Sequence, residues 1–108
     1  MMKKSFYTLL LLIIICLVSC KKNNTDKTPP VITLIGSSEV IVETGTSYTD
    51  AGATALDDTD GDITSRIVVY NPVDVNIDNS TYYVTYNVSD NAGNVATEVK
   101  RKVKVMHQ

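Results

Sequence analysis

The chain has 108 residues, 44% of them apolar, with 10 basic and 12 acidic side chains for a formal charge of −2. That length holds one folded domain and not two, and slight acidity argues against nucleic-acid binding, which needs a basic patch to neutralise phosphates. A single histidine, His107 beside the C-terminus, and two cysteines, Cys16 and Cys20, offer no credible base or nucleophile, so enzyme activity is not expected.

In chain order, Lys3 and Lys4 come first, followed by an apolar run from Leu9 to Val18 and then small Ser19 before Cys20. Positive charge holds such a start on the cytoplasmic side while the apolar run enters the translocon. The run is shorter than the ~20 apolar residues of a membrane span. Leu17-Val18-Ser19-Cys20 resembles the cleavage box of a bacterial lipoprotein signal peptide. The resemblance implies that residues 1–19 are removed and that Cys20 is lipidated, with palmitate-type acyl chains entering the bilayer. An uncleaved anchor or an ordinary secretory signal is the alternative. Each buried methylene contributes about 0.8 kcal/mol, so several chains make a permanent anchor. Cys16 leaves with the leader, and the mature chain then has no disulfide. The expected location is the bacterial cell envelope, lipid-anchored at the outer membrane, with periplasmic and surface-facing orientations both open.

Residues 20–30 read as the lipidated cysteine and a polar linker. Lys21 and Lys22 are placed to meet anionic headgroups, and Pro29-Pro30 stiffens the approach to the first strand. Residues 31–106 read as one domain of strands, because period-two alternation recurs and helical periodicity does not. Val31–Ile35 and Glu39–Glu43 are short β-branched runs punctuated by Gly36 and Gly45. Tyr48–Ala55 reads as an irregular third strand with a bulge at Gly52, Ile67–Tyr70 as a fourth and Val73–Ile77 as a fifth. In the last hairpin, Tyr82, Val84, Tyr86 and Val88 alternate against Tyr83, Thr85, Asn87 and Ser89. After Asp90-Asn91-Ala92-Gly93-Asn94, an inward set of Val95, Val99, Val103 and Val105 is expected opposite Ala96, Glu98, Lys100, Lys102 and Lys104. Arg101 falls on the inward phase, which calls for a rim position or a bulge.

About seven short strands with regular turns specify an all-β, immunoglobulin-like β-sandwich, with Tyr82 placed for a tyrosine corner. Pro29-Pro30-Val31-Ile32, Tyr48-Thr49-Asp50-Ala51-Gly52-Ala53-Thr54-Ala55, Asp60-Gly61-Asp62-Ile63-Thr64, Tyr82 through Asn94 and Val103-Lys104-Val105 occur in that order. Together they resemble the bacterial surface Ig-like domain related to hyaline repeats, also found in some pesticidal crystal proteins. The resemblance covers residues 29–105 and implies a spacer or adhesion module.

The run Asp57-Asp58-Thr59-Asp60-Gly61-Asp62 carries the one candidate ligand set, because calcium takes several carboxylate and carbonyl oxygens. It does not fit the helix-loop-helix calcium pattern: with Gly61 at loop position six, Leu56 and Ile67 fall where Asp and Glu are required. Asp57, Asp58, Asp60 and Asp62 remain candidates for another calcium loop, with Asp50 or Asp90 contributing. The bland alternative is a turn in which Asp side chains bond local amides. Outward-phase Tyr83 and Tyr70 suit contact with a protein or a glycan. The sequons at Asn79 and Asn87 have little meaning in a bacterial lipoprotein. The expected function is a non-catalytic, lipid-anchored module in adhesion, scaffolding or interaction with an envelope protein. The alternative is a glycan- or peptide-binding lipoprotein of an uptake system.

Overall fold

The computed structural model describes residues 25–108. The expected signal peptide (residues 1–19) and lipidated Cys20, with Lys21 and Lys22, lie outside the described residues.

Seven strands and one short 3-10 turn make up the described fold. The strands are β1 (Val31–Leu34), β2 (Glu39–Glu43), β3 (Ala53–Asp57), β4 (Gly61–Asp62), β5 (Val68–Tyr70), β6 (Ser80–Asn87) and β7 (Val99–Met106), with the turn at Thr64–Arg66. They form a three-stranded sheet ordered β1-β3-β4 and a four-stranded sheet ordered β2-β7-β6-β5. All pairings are antiparallel except that of β2 with β7. Inward residues of the two sheets meet in one core: Ile32, Ala53 and Ala55 from the first, and Val42, Val84, Tyr86 and Val103 from the second. Alternating side chains of two facing sheets are what a sandwich core requires.

Period-two inward phasing also places charge inside. On β3, Ala53, Ala55 and Asp57 are buried while Thr54 and Leu56 are exposed, so the inward phase ends in a carboxylate. Beyond β6 the phase Val84, Tyr86, Val88 continues to buried Asp90. On β7 the phase Arg101, Val103, Val105 is fully buried. Arg101 pairs in register with Val84, so there is neither a bulge nor a rim position there. It tolerates burial because its whole guanidinium is hydrogen-bonded, as described below.

Three other expectations are corrected. Residues 48–52 are irregular, and Gly52 precedes β3 rather than bulging within it. Val73–Ile77 is a turn-rich segment and not a strand. Asn71 Oδ1 accepts from Val73 N (3.1 Å) and Asp74 Oδ1 from Asn76 N (3.0 Å), which satisfies amides that a ladder would otherwise use. Finally, Ala96 is buried and Val95 is 64% exposed, the reverse of the expected phase. Ala96 N bonds Val88 O and Val95 bridges outward-facing Ser89, while β7 begins only at Val99. The intervening Thr97 and Glu98 lie off the ladder and reset the alternation.

Candidate functional site

Two clusters of ionisable side chains contain buried charge. The first lies between the sheets around Arg101, which is 1% exposed. Its Nη1 donates to Asp50 Oδ1 (2.8 Å) and to Tyr86 Oη (2.9 Å), and its Nε donates to Ser37 O (2.8 Å). Its Nη2 donates to the carbonyls of Ile35 and Gly52. A guanidinium has five N–H groups, and here each has an acceptor. The Tyr86 hydroxyl donates to Asp50 Oδ2, and Tyr48 donates to Asp50 Oδ1 at 2.6 Å. Burial opposes the charge on Asp50, but hydrogen bonds from Tyr48, Arg101 and Gly52 N–H, together with the Arg101 charge, hold its carboxyl below the usual range. The Tyr48 phenol is pushed up to about 12, by burial first and then by its bond to Asp50 and that carboxylate's charge. Thus the tyrosine bonded inside the sandwich is Tyr86, rather than Tyr82 at the expected corner. This cluster is closed and internally satisfied, and it ties β7 to the segments flanking β1 and β3.

The second cluster lies at one pole, where the β3–β4 turn, the segment after β6 and the N-terminal segment converge. Gly61, at φ +80°, closes the turn and pairs with Asp57. Asp57 is 5% exposed. Its Oδ2 accepts from Thr59 N (3.1 Å) and Asp60 N (2.9 Å), whereas its Oδ1 is buried with no hydrogen-bond partner. Asp26, arriving from the stretch read as linker, accepts from Thr28 N with Oδ1 (3.1 Å), and its Oδ2 is likewise buried and unpartnered. One carboxylate oxygen from each of Asp26, Asp57 and Asp58 lies within 4.8 Å of the others. Asp90 stands beside them, bonded through Oδ1 to Asn94 N and through Oδ2 to Asn94 Nδ2, both at 2.8 Å. Asn94 Nδ2 also reaches the carbonyls of Asp26 (3.1 Å) and Thr28 (3.4 Å), which docks the N-terminal segment onto the pole.

Crowding shows in the acid–base behaviour. The Thr28 amide favours the Asp26 charge, but burial and the neighbouring carboxylates of Asp90 and Asp57 outweigh it and raise Asp26 above the usual carboxylate range. Burial works against Asp90, yet the side-chain and backbone hydrogen bonds from Asn94 help to bring it below that range.

The candidate calcium set is therefore divided by the fold. Asp57 and Asp58 come together, and Asp26 joins them from 31 positions earlier in the chain. Asp60 turns to Asn91 N (2.7 Å) and to Arg66 (3.4 Å). Asp62 faces elsewhere, accepting from Thr64 N at 3.0 Å, and Asp50 belongs to the Arg101 cluster. Sequence reasoning missed Asp26 and Asn94; only a long-range contact reveals them.

A third feature is the outward face of the four-stranded sheet. Tyr70, opposite Thr85, is 64% exposed, Tyr83 is 46% exposed, and Val68 shares their side. Lys100 and Lys102 lie opposite Thr85 and Tyr83, and the Lys100 ammonium stands 5.5 Å from the Tyr83 ring centre.

Two facing sheets, seven strands and alternating inward packing make this an immunoglobulin-like β-sandwich. More particularly, residues 32–105 match the family described as "Bacterial surface protein, Ig-like domain", and the chain belongs to it. The outer cell wall protein of Brevibacillus brevis is 36% identical over 89 residues, spanning 68% of this chain. The match takes in 9% of that relative's length. Among solved structures, the lipoprotein BT2262 from Bacteroides thetaiotaomicron has a TM-score of 0.59 at 24% identity, over 70% of this chain and 37% of its own. The structure of CBM51-2 in complex with GlcNAc and INT domains from Clostridium perfringens ZmpB has a TM-score of 0.55 at 25% identity, over 73% and 17% of the two chains.

Proposed function

We propose that this protein is a non-catalytic module of the bacterial cell envelope, lipid-anchored at Cys20, whose sandwich engages an envelope protein in adhesion or scaffolding. The observation that carries the reading is the outward face of the four-stranded sheet, where Tyr70, Tyr83 and Val68 stand exposed beside a row of lysines. Aromatic rings with polar tips are enriched in protein contact surfaces. Family membership and the likeness to an outer cell wall protein support an envelope location. The leader residues Leu17-Val18-Ser19-Cys20 support the anchor.

Crosslinking in intact cells, with recovered partners identified by mass spectrometry, tests the surface. A discrete protein partner is expected, and it should be lost in the Tyr70→Ala/Tyr83→Ala chain. Equal recovery from that variant overturns the assignment. The anchor is tested by fractionation: wild type should follow the membrane and Cys20→Ala the soluble fraction, and co-fractionation of both would refute lipidation.

A second reading has the same two tyrosines stacking on a glycan, in line with the likeness to the solved structure of CBM51-2 in complex with GlcNAc. Saturable binding of N-acetylglucosamine oligomers that depends on Tyr83, with no protein crosslink, would favour it.

A further inference from the structure

The acidic pole is the one place among the described residues where buried side-chain polar atoms are left without partners. Native proteins satisfy nearly all such atoms, and an orphaned buried carboxylate oxygen calls for a ligand. Three facts define which ligand. Asp57 is 95% withdrawn from solvent, by its 5% exposure, and its Oδ1 has no donor although its Oδ2 is fixed by two amides. Asp26 Oδ2 is in the same condition, so two different chain segments each leave a free oxygen at this place. Oxygens from Asp26, Asp57 and Asp58 lie within 4.8 Å of one another. Two ligands on one calcium ion are separated by at most twice a metal–oxygen bond of 2.3–2.6 Å, about 5 Å. The three oxygens are thus already spaced for a single ion.

Charge points the same way. Among the described residues no ion pair reaches Asp26, Asp57, Asp58 or Asp90; Arg66 pairs instead with Asp60, at 3.4 Å, and is 44% exposed. The donors are all hard oxygens, with neither imidazole nor thiolate, which excludes the preferred ligand sets of zinc and copper. A cleft bounded by Asp26, Thr59, Asp60, Asn91 and Ala92 adjoins the cluster on its Asp26 side.

We propose that Asp26, Asp57 and Asp58 bind a calcium ion that fastens the N-terminal segment to the β3–β4 turn of the sandwich. Asp90 and Asn94 position the site: Asn94 holds both the Asp90 carboxylate and the carbonyls of Asp26 and Thr28. Asp26 is only six residues past Cys20. Calcium would therefore stiffen the tether near its root and fix the domain's stance above the membrane. That consequence rests on the proposed anchor, whereas the binding itself does not.

The test is calorimetric titration of the full chain, stripped with chelator and held in mild detergent, with calcium chloride as the probe. One equivalent should bind, with a dissociation constant of about 10⁻⁴–10⁻³ M, the range of extracellular calcium modules. The melting temperature should rise by about 5–15 °C at saturating calcium. Trypsin cleavage after Lys27 should slow in step with binding. Asp57→Asn, isosteric and still able to accept the Thr59 and Asp60 amides, should weaken binding at least tenfold. Asp58→Asn, at an exposed position, should do the same even where the buried variant folds poorly. Titrating Cys20→Ala separates the two readings, because calcium should bind that chain unchanged whatever becomes of the anchor. Absence of heat and of any melting shift at 10 mM calcium overturns the site, as does full binding by Asp58→Asn. Magnesium binding as strongly as calcium overturns the choice of ion.

Discussion

The cluster around Arg101 and the pole around Asp57 each include a charged residue on the inward phase of a strand, yet they resolve their charge in opposite ways. Around Arg101, five N–H donors meet five acceptors, and the half-buried Asp50 carboxylate receives two phenols, a guanidinium and the Gly52 amide. At the pole, carboxylates from three segments crowd together and two buried oxygens have no partner. A buried charge that is fully matched has nothing left to offer a ligand, and its role is to fix the fold. A buried charge that is unmatched costs stability unless something arrives to complete it. The first cluster is architecture and the second, on the proposal above, is a receptor for a cation.

That contrast breaks most visibly at Arg101. Removing one member of a buried ion pair strands the other, at a cost of roughly 3–5 kcal/mol. Arg101→Met should therefore lower denaturant stability by about that much, or abolish folding. The triple variant Arg101→Met/Asp50→Leu/Tyr86→Phe should regain much of the loss, because apolar replacement of a whole buried network is often neutral. If the single variant melted like wild type, the cluster would not be architectural. Tyr86→Phe is the milder probe. It leaves Asp50 Oδ2 with the Gly52 amide alone and strips Arg101 of one acceptor, so about 1–3 kcal/mol should be lost in urea titration.

Much of this contrast was hidden in the sequence for physical reasons. The alternation Val84, Tyr86, Val88 is local, so the sandwich and the inward wall of β6 can be read from it directly. Arg101 cannot be read that way, because the carbonyls that make its burial tolerable belong to Ile35, Ser37 and Gly52. On pattern alone, a charge on the inward phase demands a rim or a bulge. The acidic run at residues 57–62 announces a turn with spare carboxylates, but spacing does not tell which of them share an ion. Asp62 is drawn off by Thr64 and Asp60 by Asn91, while Asp26 enters from a polar stretch with no periodicity. Val73–Ile77 alternates like a strand, yet the neighbouring Asn71 and Asp74 side chains cap its amides first.

Acidity and alkalinity probe the Arg101 cluster without mutation. Asp50 has a folded pKa below its unfolded value near 3.8. Its contribution is complete above that value and is lost as pH falls through the lower folded pKa. Tyr48 runs the other way: its folded pKa is about 12 against 10.0, so its contribution is complete below pH 10 and fades between 10 and 12. Melting temperature against pH, measured with chelator to keep calcium out of the comparison, should show both shoulders. Tyr86→Phe should shrink the acid one, since it removes a donor to Asp50. An unchanged acid shoulder would mean that other carboxylates carry it.

The smallest effect is also the sharpest discriminator. Asp58 is exposed, and substitutions at such positions usually change stability by less than about 0.5 kcal/mol. With chelator present, Asp58→Asn should therefore melt within a degree or two of wild type, or slightly above it, because one repelling charge has gone. With calcium present, wild type should rise and the variant should lag behind it. The same substitution would thus be silent in one solvent and costly in the other. No substitution in the Arg101 cluster should behave so, because its partners are all built into the chain and a cation added from outside finds nothing there to complete.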